Sequence, residues 1–365
     1  MRSLQLSRLL LLSTTLSVCD CEFVNPSEME KEGTAENRLV LPTDIYPRVM
    51  VVADIDLQKK IGGCEINVRQ YIQQLFGLVQ QVYDTIAQPK FHLRIADIYL
   101  CRDQCDCSYI SKNKVGNLLE INGEEFMNEM VSWANERKNS SVSYDLLLTL
   151  TSLEMYRNIT ADGKAVIGTG LSGKASLGGV CGVSNTGIIT DNGGFASVKS
   201  ISHELAHLFG AVHDGDIGGG EECKETEGFI MGMSTILTNR YRPSPCTIRS
   251  MARHISSAEK DCVKVDEPGK YPLDHTLPGV NMPTDEQCKM KYGPESMNCP
   301  FFGDVHNSNV CNKHYCYYPV SGTCRAQGGA FSGTSCGLNK LEAGTLGAER
   351  DIHEVALNTH ESDRY

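Results

Sequence analysis

The sequence lacks any apolar run long enough to cross a membrane. The apolar Leu9–Leu12 near the N-terminus and the later hydrophobic stretches are all much shorter than the roughly 20 residues that a transmembrane helix needs. Two arginines precede Leu9–Leu12 and small residues follow it near Cys19, an order that is typical of a secretory signal peptide. We therefore expect residues 1–21 to be a signal peptide, residues 22–45 to be a short N-terminal segment, and the rest of the chain to have no membrane anchor.

The sequence also lacks an excess of basic residues. It has 45 acidic and 34 basic side chains, a formal net charge of −11 and a pI near 5.4. Nucleic acids and anionic membranes are bound by surfaces rich in lysine and arginine. The composition therefore argues against nucleic acid or a membrane surface as a partner, and we expect the partners to be proteins.

Cysteine, in contrast, is abundant: the chain has sixteen, a number that would be a hazard outside the cell if the thiols were free. We expect disulfide bonds formed in an oxidising compartment. Removal of Cys19 and Cys21 with the signal peptide would leave fourteen, which fall into groups of four, four and six. The groups are Cys64, Cys101, Cys105 and Cys107; Cys181, Cys223, Cys246 and Cys262; and Cys288, Cys299, Cys311, Cys316, Cys324 and Cys336.

These even groups predict that disulfide bonds form inside each group, above all among the ten cysteines from Cys181 to Cys336. The connectivity within a group stays open. A cysteine–zinc site in the first group is the alternative, but no histidine lies at a familiar spacing from it. Two N-glycosylation sequons, which begin at Asn139 and Asn158, fit a secreted protein.

The most informative motif is His203-Glu204-x-x-His207-x-x-Gly210-x-x-His213. On a helix, residues four apart share a face, so His203 and His207 can bind the same metal ion. Glu204 lies one position round the helix, where its carboxylate can take a proton from a water on the metal. Gly210 can adopt the positive φ that turns the backbone and brings His213 back as a third ligand. Three protein ligands leave a fourth position open, as in a catalytic zinc site.

A bare H-E-x-x-H can arise by chance on an amphipathic helix, where its histidines are half-buried polar residues. The longer motif and a methionine further along the chain favour the zinc interpretation. Met231, within a Gly-Phe-Ile-Met-Gly segment, is the candidate for a methionine-containing turn beneath the zinc, and Met233 is the second candidate. Without the histidines, such a methionine would be interpreted as core filler.

Apolar patterns predict that strands and helices alternate before the motif. The strands are expected at 48–53, 91–100 and 145–150, and the helices at 66–86 and 124–137. Strands that alternate with helices favour parallel pairing, so we predict an α/β fold with a mostly parallel, twisted sheet. The glycine-rich stretch 168–194 is expected to contain turns around an edge strand at 175–180.

Several short segments carry a family resemblance. His213-Asp214, Ile230-Met231 and Ser244-Pro245-Cys246-Thr247 resemble the reprolysin (adamalysin) branch of the metzincin zinc metalloproteases. Residues 262–268, 277–279 and 287–293 resemble the join between the protease and cysteine-rich regions of the ADAMTS proteases, and the spacing from Cys311 to Cys336 continues that likeness. Similar short architectures are found among the salivary and venom metalloproteases of arthropods, ticks especially.

The resemblance implies a metzincin catalytic domain over residues 46–266, with the motif helix at the substrate cleft and one catalytic zinc ion. It implies a linker over 267–287 and a disulfide-rich module over 288–336. Residues 337–365 have no periodic apolar positions and are expected to be a polar tail. In the resembled family the edge strand pairs with an extended peptide substrate. A calcium ion is compatible with the resemblance, although no residues mark its site, and we expect a monomer.

The sequence therefore predicts a secreted zinc metalloendopeptidase that uses Glu204 as its base and hydrolyses extracellular proteins. By resemblance these would be matrix or clotting proteins such as fibrinogen, which implies an anti-haemostatic role. The alternative is a non-catalytic secreted binding protein that acts through its cysteine-rich module. No Arg-Gly-Asp sequence supports this alternative, and the intact Glu204 argues against it, because a binding protein would be free to lose the base.

Overall fold

The computed structural model describes residues 41–121, 123–137, 142–161, 164–232, 239–299, 314–326, 330–331, 333–337, 340–343 and 348–351. The predicted signal peptide, most of the 22–45 segment, Asn139, Met233 and Cys311 lie outside these ranges. Within the described ranges, no helix is both long enough and apolar enough to cross a bilayer.

Strands and helices alternate through the first half of the described chain. The strands are β1 (Asp44–Ile45), β2 (Arg48–Ala53), β3 (Lys90–Phe91), β4 (Arg94–Leu100), β5 (Lys114–Val115), β6 (Leu118–Glu120), β7 (Leu146–Thr151), β8 (Glu154–Ala161), β9 (Lys164–Leu171), β10 (Gly173–Ala175), β11 (Thr186–Thr190), β12 (Tyr315–Tyr318), β13 (Thr323–Ala326), β14 (Ser335–Gly337), β15 (Lys340–Ala343) and β16 (Ala348–Asp351). The α-helices are α1 (Ile55–Lys60), α2 (Glu65–Tyr83), α3 (Ser108–Ser111), α4 (Gly123–Glu136), α5 (Val198–Leu208), α6 (Pro245–Ile255), α7 (Pro278–Asn281) and α8 (Thr284–Tyr292), and short 3-10 helices lie at Glu225–Glu227 and Ala258–Lys264. The strands and helices predicted between residues 48 and 150 are present, although the strand expected at 91–100 is divided into β3 and β4.

The main sheet has the strand order β10-β11-β7-β2-β4. Strands β11, β7, β2 and β4 are parallel, and β10 pairs antiparallel with β11 at the edge. The predicted α/β fold with a mostly parallel sheet is therefore confirmed. Both faces of the sheet are covered, which is why its central strands β2 and β7 are mostly apolar. In β2, Val49 and Val51 belong to the core cluster that contains α2 and α5, whereas Met50 and Val52 belong to the cluster that contains α4.

Helix α2 holds the motif helix α5 in place. Apolar residues of α2 that recur at helical intervals, such as Ile72 and Leu75, are fully buried against the sheet and α5. At the end of α2, the Tyr83 hydroxyl donates a hydrogen bond to the carbonyl oxygen of Ser202 in α5 over 2.9 Å. The Tyr83 ring also packs edge-on against Phe209, with 6.2 Å between ring centroids. Helix α5 is therefore positioned by both apolar packing and a buried hydrogen bond.

The edge strand of the main sheet lies earlier in the chain than its predicted position at 175–180. Strand β10 covers Gly173–Ala175, and residues 177–182 are mostly in turns. The prediction was wrong there because the backbone turns at Gly178 and Cys181, whose φ values of 67° and 62° lie outside the extended region of a regular strand. The backbone N–H of Gly178 instead donates to the carbonyl oxygen of His207 in α5 over 2.8 Å.

Residues 267–276, the first half of the predicted linker 267–287, pack against β4 and α2. The N–H of Tyr271 donates to the carbonyl of Ile95 over 3.3 Å, and the N–H of Asp274 donates to the carbonyl of Gln73 over 3.1 Å. Gly77 in α2 permits this approach, since a Cβ atom there would lie 2.0 Å from the carbonyl oxygen of Asp274. Helices α7 and α8 occupy most of the second half. The composition of this segment indicated irregular backbone but not its packing partner, which is distant in the sequence.

The C-terminal region contacts the loop that precedes α5, which we call the pre-helix loop (residues 191–197). Phe331 packs edge-on against Phe195 with 5.5 Å between ring centroids, and Phe195 stacks on Tyr71 of α2 at 4.8 Å. The Tyr71 hydroxyl donates to the buried carboxylate of Asp191 over 2.9 Å. The pre-helix loop therefore lies between α2 and the C-terminal region.

Part of the expected polar tail, 337–365, forms strands. Strands β15 and β16 pair antiparallel from Lys340↔Asp351 to Ala343↔Ala348. Backbone N–H and C=O groups make this pairing, so it leaves no periodic apolar pattern that the sequence could have shown. Residues 352–365 lie outside the described ranges.

The disulfide bonds join cysteines within the predicted groups. The bonds are Cys181–Cys262, Cys223–Cys246, Cys288–Cys316 and Cys299–Cys324, with Cys101–Cys107 in the first group. Cys64 and Cys105 are exposed free thiols. Cys311 and the side chain of Cys336 lie outside the described part of the chain. None of the bonds between described residues links the cysteines from Cys64 to Cys262 with those from Cys288 onward.

Arg48 links the start of β2 to two distant segments, one at Asp145 and one at Glu267. Its Nη2 donates to Oδ1 of Asp145 over 3.1 Å, its backbone N–H donates to Oδ2 over 2.8 Å, and its Nη1 donates to Glu267. The side chains of Arg48 and Asp145 are only 11% and 1% exposed. Burial raises the pKa of Asp145, and the hydrogen bonds from Arg48 oppose that rise. Removal of one partner from such a pair would leave a buried charge without compensation.

We expect Arg48→Met to lower the free energy of unfolding by about 3 kcal/mol, because the apolar stem is kept while Asp145 loses its cation. Chemical denaturation measures this loss. The matched control is Arg249→Met, since Arg249 and Glu222 form a pair whose side chains are 46% and 76% exposed. That exposed pair should contribute less than about 1 kcal/mol. Equal losses in the two variants would contradict the role given to Arg48.

Candidate active site

Helix α5 places His203 and His207 on one face. The opposite face carries Ile201, Leu205 and Leu208, all fully buried in the core. Because the two histidines are four residues apart, their rings lie side by side, with 4.7 Å between the ring centroids. The apolar face of α5 therefore fixes which way the two imidazoles point.

A glycine turn brings the third histidine back to the other two. Gly210 has a φ of 92°, and its N–H donates to the carbonyl oxygen of His207 over 2.8 Å. A Cβ atom on Gly210 would also lie 2.6 Å from Cγ of His254, so both the backbone angle and the space require glycine. After this turn, the ring of His213 lies 4.8 Å from that of His207 and 5.1 Å from that of His203, measured between centroids.

Each imidazole is oriented by an acceptor at its Nδ1. His203 Nδ1 lies 2.7 Å from the carbonyl oxygen of Ile230, and His207 Nδ1 lies 2.8 Å from that of Ala211. His213 Nδ1 lies 3.2 Å from Oδ2 of Asp216. These acceptors assign the proton to Nδ1, which leaves the Nε2 lone pairs free to face one another. One nitrogen from each ring lies within 4.8 Å of the others, and Nε2 of His203 and His213 are 3.3 Å apart.

Burial keeps two of these imidazoles neutral. It lowers the pKa of His203 to about 3 and that of His207 to about 4, with the neighbouring histidines as further causes. Neutral imidazole is the form that binds a metal ion. Three nitrogen donors that converge in this way fit zinc, which takes imidazole ligands and a tetrahedral arrangement with one position for water.

Glu204 is buried, with 4% of its surface exposed, and its Oε2 has no hydrogen-bond partner among the described residues. Burial raises the pKa of this carboxyl group to about 8. A buried carboxylate oxygen without a partner is costly unless a water or a cation satisfies it. The unpartnered oxygen therefore supports a metal ion with its water beside the three histidines.

Met231 is fully buried in a turn that contacts two parts of the motif. Its carbonyl oxygen accepts a hydrogen bond from the N–H of Asp214 over 3.1 Å, and the preceding carbonyl, of Ile230, orients His203. The turn is closed by the N–H of Gly232, which donates to the carbonyl of Phe229 over 2.9 Å. The structure thus places Met231 next to the histidines, where the sequence predicts a methionine turn.

Two carboxylates around the histidines had no predicted role. Asp216 accepts from His213, as described above, and the neighbouring Asp214 is 2% exposed. The Ser244 hydroxyl donates to Oδ1 of Asp214 over 2.6 Å and accepts from the N–H of Thr247 as the N-cap of α6. Burial raises the pKa of Asp214, and the Ser244 bond opposes the rise. A serine before a proline is a recognisable helix start, but its contact with Asp214 has no local signal.

Of the two sequons, only the second lies in the described chain. Asn158 is in β8, is exposed, and donates from Nδ2 to Oε1 of Glu120 over 2.6 Å. Asn139 lies outside the described residues.

We expect Ser244→Ala to lower the free energy of unfolding by about 2–3 kcal/mol, because Asp214 loses its donor and α6 loses its N-cap acceptor. Denaturant midpoints measure this. Ser256→Ala is the control, since the Ser256 hydroxyl only donates to the carbonyl of Ala252 one turn back in α6. That change should cost less than about 1 kcal/mol. An effect of Ser244→Ala no larger than that of the control would contradict the proposed support of Asp214.

The chain matches two family models and is similar to several known proteins. The family model for the metallopeptidase family M12 (reprolysin) matches residues 47–242, and the model for the ADAMTS cysteine-rich domain 2 matches residues 278–341. A Bombyx mori protein called "A disintegrin and metalloproteinase with thrombospondin motifs like" is 29% identical over 340 residues, which cover 87% of this chain and 48% of that protein. The Mus musculus protein "A disintegrin and metalloproteinase with thrombospondin motifs 18" is 25% identical over 337 residues, which cover 88% of this chain and 25% of that protein.

The chain thus spans about half, or less, of the length of these curated relatives. Among solved structures, the archaemetzincin of Methanopyrus kandleri aligns with 58% of this chain and 97% of its own, with a TM-score of 0.31 and 16% identity. The M12 match covers more than half of the 365 residues and includes His203, Glu204, His207 and His213. The chain therefore belongs to the metallopeptidase family M12 and carries an ADAMTS-type cysteine-rich region after its protease part.

Proposed function

We propose that this protein is a secreted, zinc-dependent metalloendopeptidase of the reprolysin type. In this proposal His203, His207 and His213 hold one zinc ion through their Nε2 atoms, and Glu204 is the general base. The observation that carries the proposal is the convergence of the three imidazoles, one nitrogen of each lying within 4.8 Å of the others. Glu204, which directly follows His203 in α5, adds a buried carboxyl oxygen that has no hydrogen-bond partner among the described residues. Membership of the M12 family supports the same chemistry.

A zinc ion bound here would lower the pKa of its water toward about 7 and polarise the peptide carbonyl. Glu204 accepts a proton from the attacking water on its carboxylate and then returns it to the leaving amine. The three Nδ1 hydrogen bonds prevent the imidazoles from rotating during these steps. Strand β10 is at the edge of the sheet and offers its backbone groups to an extended peptide substrate.

The proposed substrates are extracellular proteins, and by family resemblance these are matrix or clotting proteins such as fibrinogen, with an anti-haemostatic role. The disulfide bonds of the described chain and the exposed Asn158 sequon support an extracellular protein. We propose that it acts as a monomer. A cleavage-site profile of the purified protein on an extracellular proteome, compared with the Glu204→Gln variant, tests this choice of substrates.

The first test of the metal is its removal. We expect one zinc ion per chain by elemental analysis and loss of peptide hydrolysis in excess chelator, because the zinc ion would supply the Lewis acid that lowers the pKa of the attacking water. Added zinc should restore the activity of the chelated protein. Folded, active protein without zinc would refute the proposed function.

The second test is Glu204→Gln, which keeps the shape of the side chain but cannot accept the proton. We expect zinc content to stay at one per chain while kcat falls by a factor on the order of 10² or more. The matched control is Glu222→Gln, because Glu222 is an exposed residue paired only with Arg249 at the surface. Unchanged hydrolysis in Glu204→Gln would show that Glu204 is not the base. If an anti-haemostatic effect survived the loss of hydrolysis, that effect would be assigned to the non-catalytic binding alternative.

A further inference from the structure

Gly173, the first residue of β10, lies directly against the side chain of Glu204. A Cβ atom built on Gly173 would lie 2.4 Å from Oε1, 2.6 Å from Cγ and 2.7 Å from Cδ of Glu204. These separations are far below normal contact distances of about 3.5–4.0 Å between carbon atoms. The side chain of Glu204 therefore occupies the space that any residue other than glycine would need.

The backbone conformation does not require glycine at this position. Gly173 is not among the residues with positive φ, so an alanine could adopt its dihedral angles. Glycine is therefore required at position 173 because a larger residue would overlap the side chain of Glu204, and not because of its backbone angles.

Neither side of this contact can move away easily. Strand β10 is held by its register with β11, in which Gly173 pairs with Ile189, and the N–H of Thr190 donates to the carbonyl of Ser172 over 2.9 Å. On the other side, α5 is anchored next to Glu204 by the Tyr83–Ser202 hydrogen bond. Because the conflict includes Cγ as well as the carboxylate, rotation of the carboxylate alone would not relieve it.

We propose that Gly173 is a positioning residue, which holds the Glu204 carboxylate in its buried place by leaving room for it beside β10. A methyl group at this position would displace Glu204 and leave the three histidines where they are, since their ring orientations depend on Ile230, Ala211 and Asp216. The catalytic meaning of this contact rests on the proposed function, whereas the steric contact itself does not.

A stability cycle tests the contact without any measurement of activity. Gly173→Ala, Glu204→Ala and the double variant are compared with the full chain by thermal unfolding. We expect Gly173→Ala to lower Tm by about 2–5 °C when Glu204 is present. In the Glu204→Ala background, the same change should leave Tm unchanged or raise it slightly, because the space is empty and alanine restricts the unfolded chain.

Two further outcomes of the cycle are decisive. If Gly173→Ala alone fails to fold and the double variant folds, the steric assignment is supported. If the loss in Tm is the same in both backgrounds, the assignment is overturned. Gly182→Ala is the matched control, because a Cβ atom there would meet only the carbonyl group of Gly179, with its oxygen at 3.1 Å and its carbon at 3.9 Å, and no atom of Glu204.

Activity then separates the positioning role from a general defect. Gly173→Ala should lower kcat at least tenfold, with KM and zinc content close to those of the unmodified protein. In the Glu204→Gln background it should add no further loss, since both changes act on the same carboxylate. A fully active Gly173→Ala protein would overturn the inference, whereas an unmodified protein without zinc-dependent hydrolysis would overturn the proposed function and leave the stability cycle valid.

Discussion

The hydrogen bonds at the three histidine Nδ1 atoms constrain the rest of the site. Their acceptors lie in different segments: Ala211 in the turn after α5, Asp216 in the loop beyond it, and Ile230 in the methionine turn. An imidazole that donates from Nδ1 presents its Nε2 lone pair on the other side of the ring, so each acceptor sets the direction of a proposed metal ligand. The position of residues 211–232 is therefore as important for the site as α5 itself. The Cys223–Cys246 bond joins this region to α6 and limits its freedom to move.

The parts of the site that the sequence predicted are those controlled by local geometry. The spacing of His203 and His207 follows from the helical repeat, and the turn at Gly210 follows from the conformational freedom of glycine. The Asp214–Ser244 hydrogen bond joins residues 30 apart in the chain, and such a distance carries no periodic signal. The contact between Gly173 and Glu204 likewise has no signal in the sequence, because it depends on the distance between β10 and α5.

The same division applies to the fold. Strands such as β2 and β7 were predictable because two covered faces favour apolar residues at most positions of a strand. The boundary of β10 was not, because the turn at Gly178 is fixed by a hydrogen bond to His207 rather than by a local sequence preference. The packing of residues 267–276 likewise depends on α2, which lies nearly two hundred residues earlier in the chain. Gly77 leaves room for the carbonyl of Asp274, and the Gln73 side chain donates a hydrogen bond to the carbonyl of Pro272, 199 residues away.

The contact of Phe331 with Phe195 in the pre-helix loop makes the solubility of the preceding part of the chain depend on the C-terminal region. Phe195 and Tyr71 are each only 8% exposed in the full chain, and Phe331 supplies part of that cover. A chain shortened before Phe331 would present aromatic surface to water, and surface of this kind promotes self-association. Loss of Phe331 by proteolysis would therefore reduce the amount of dispersed protein while His203, His207 and His213 stayed in place.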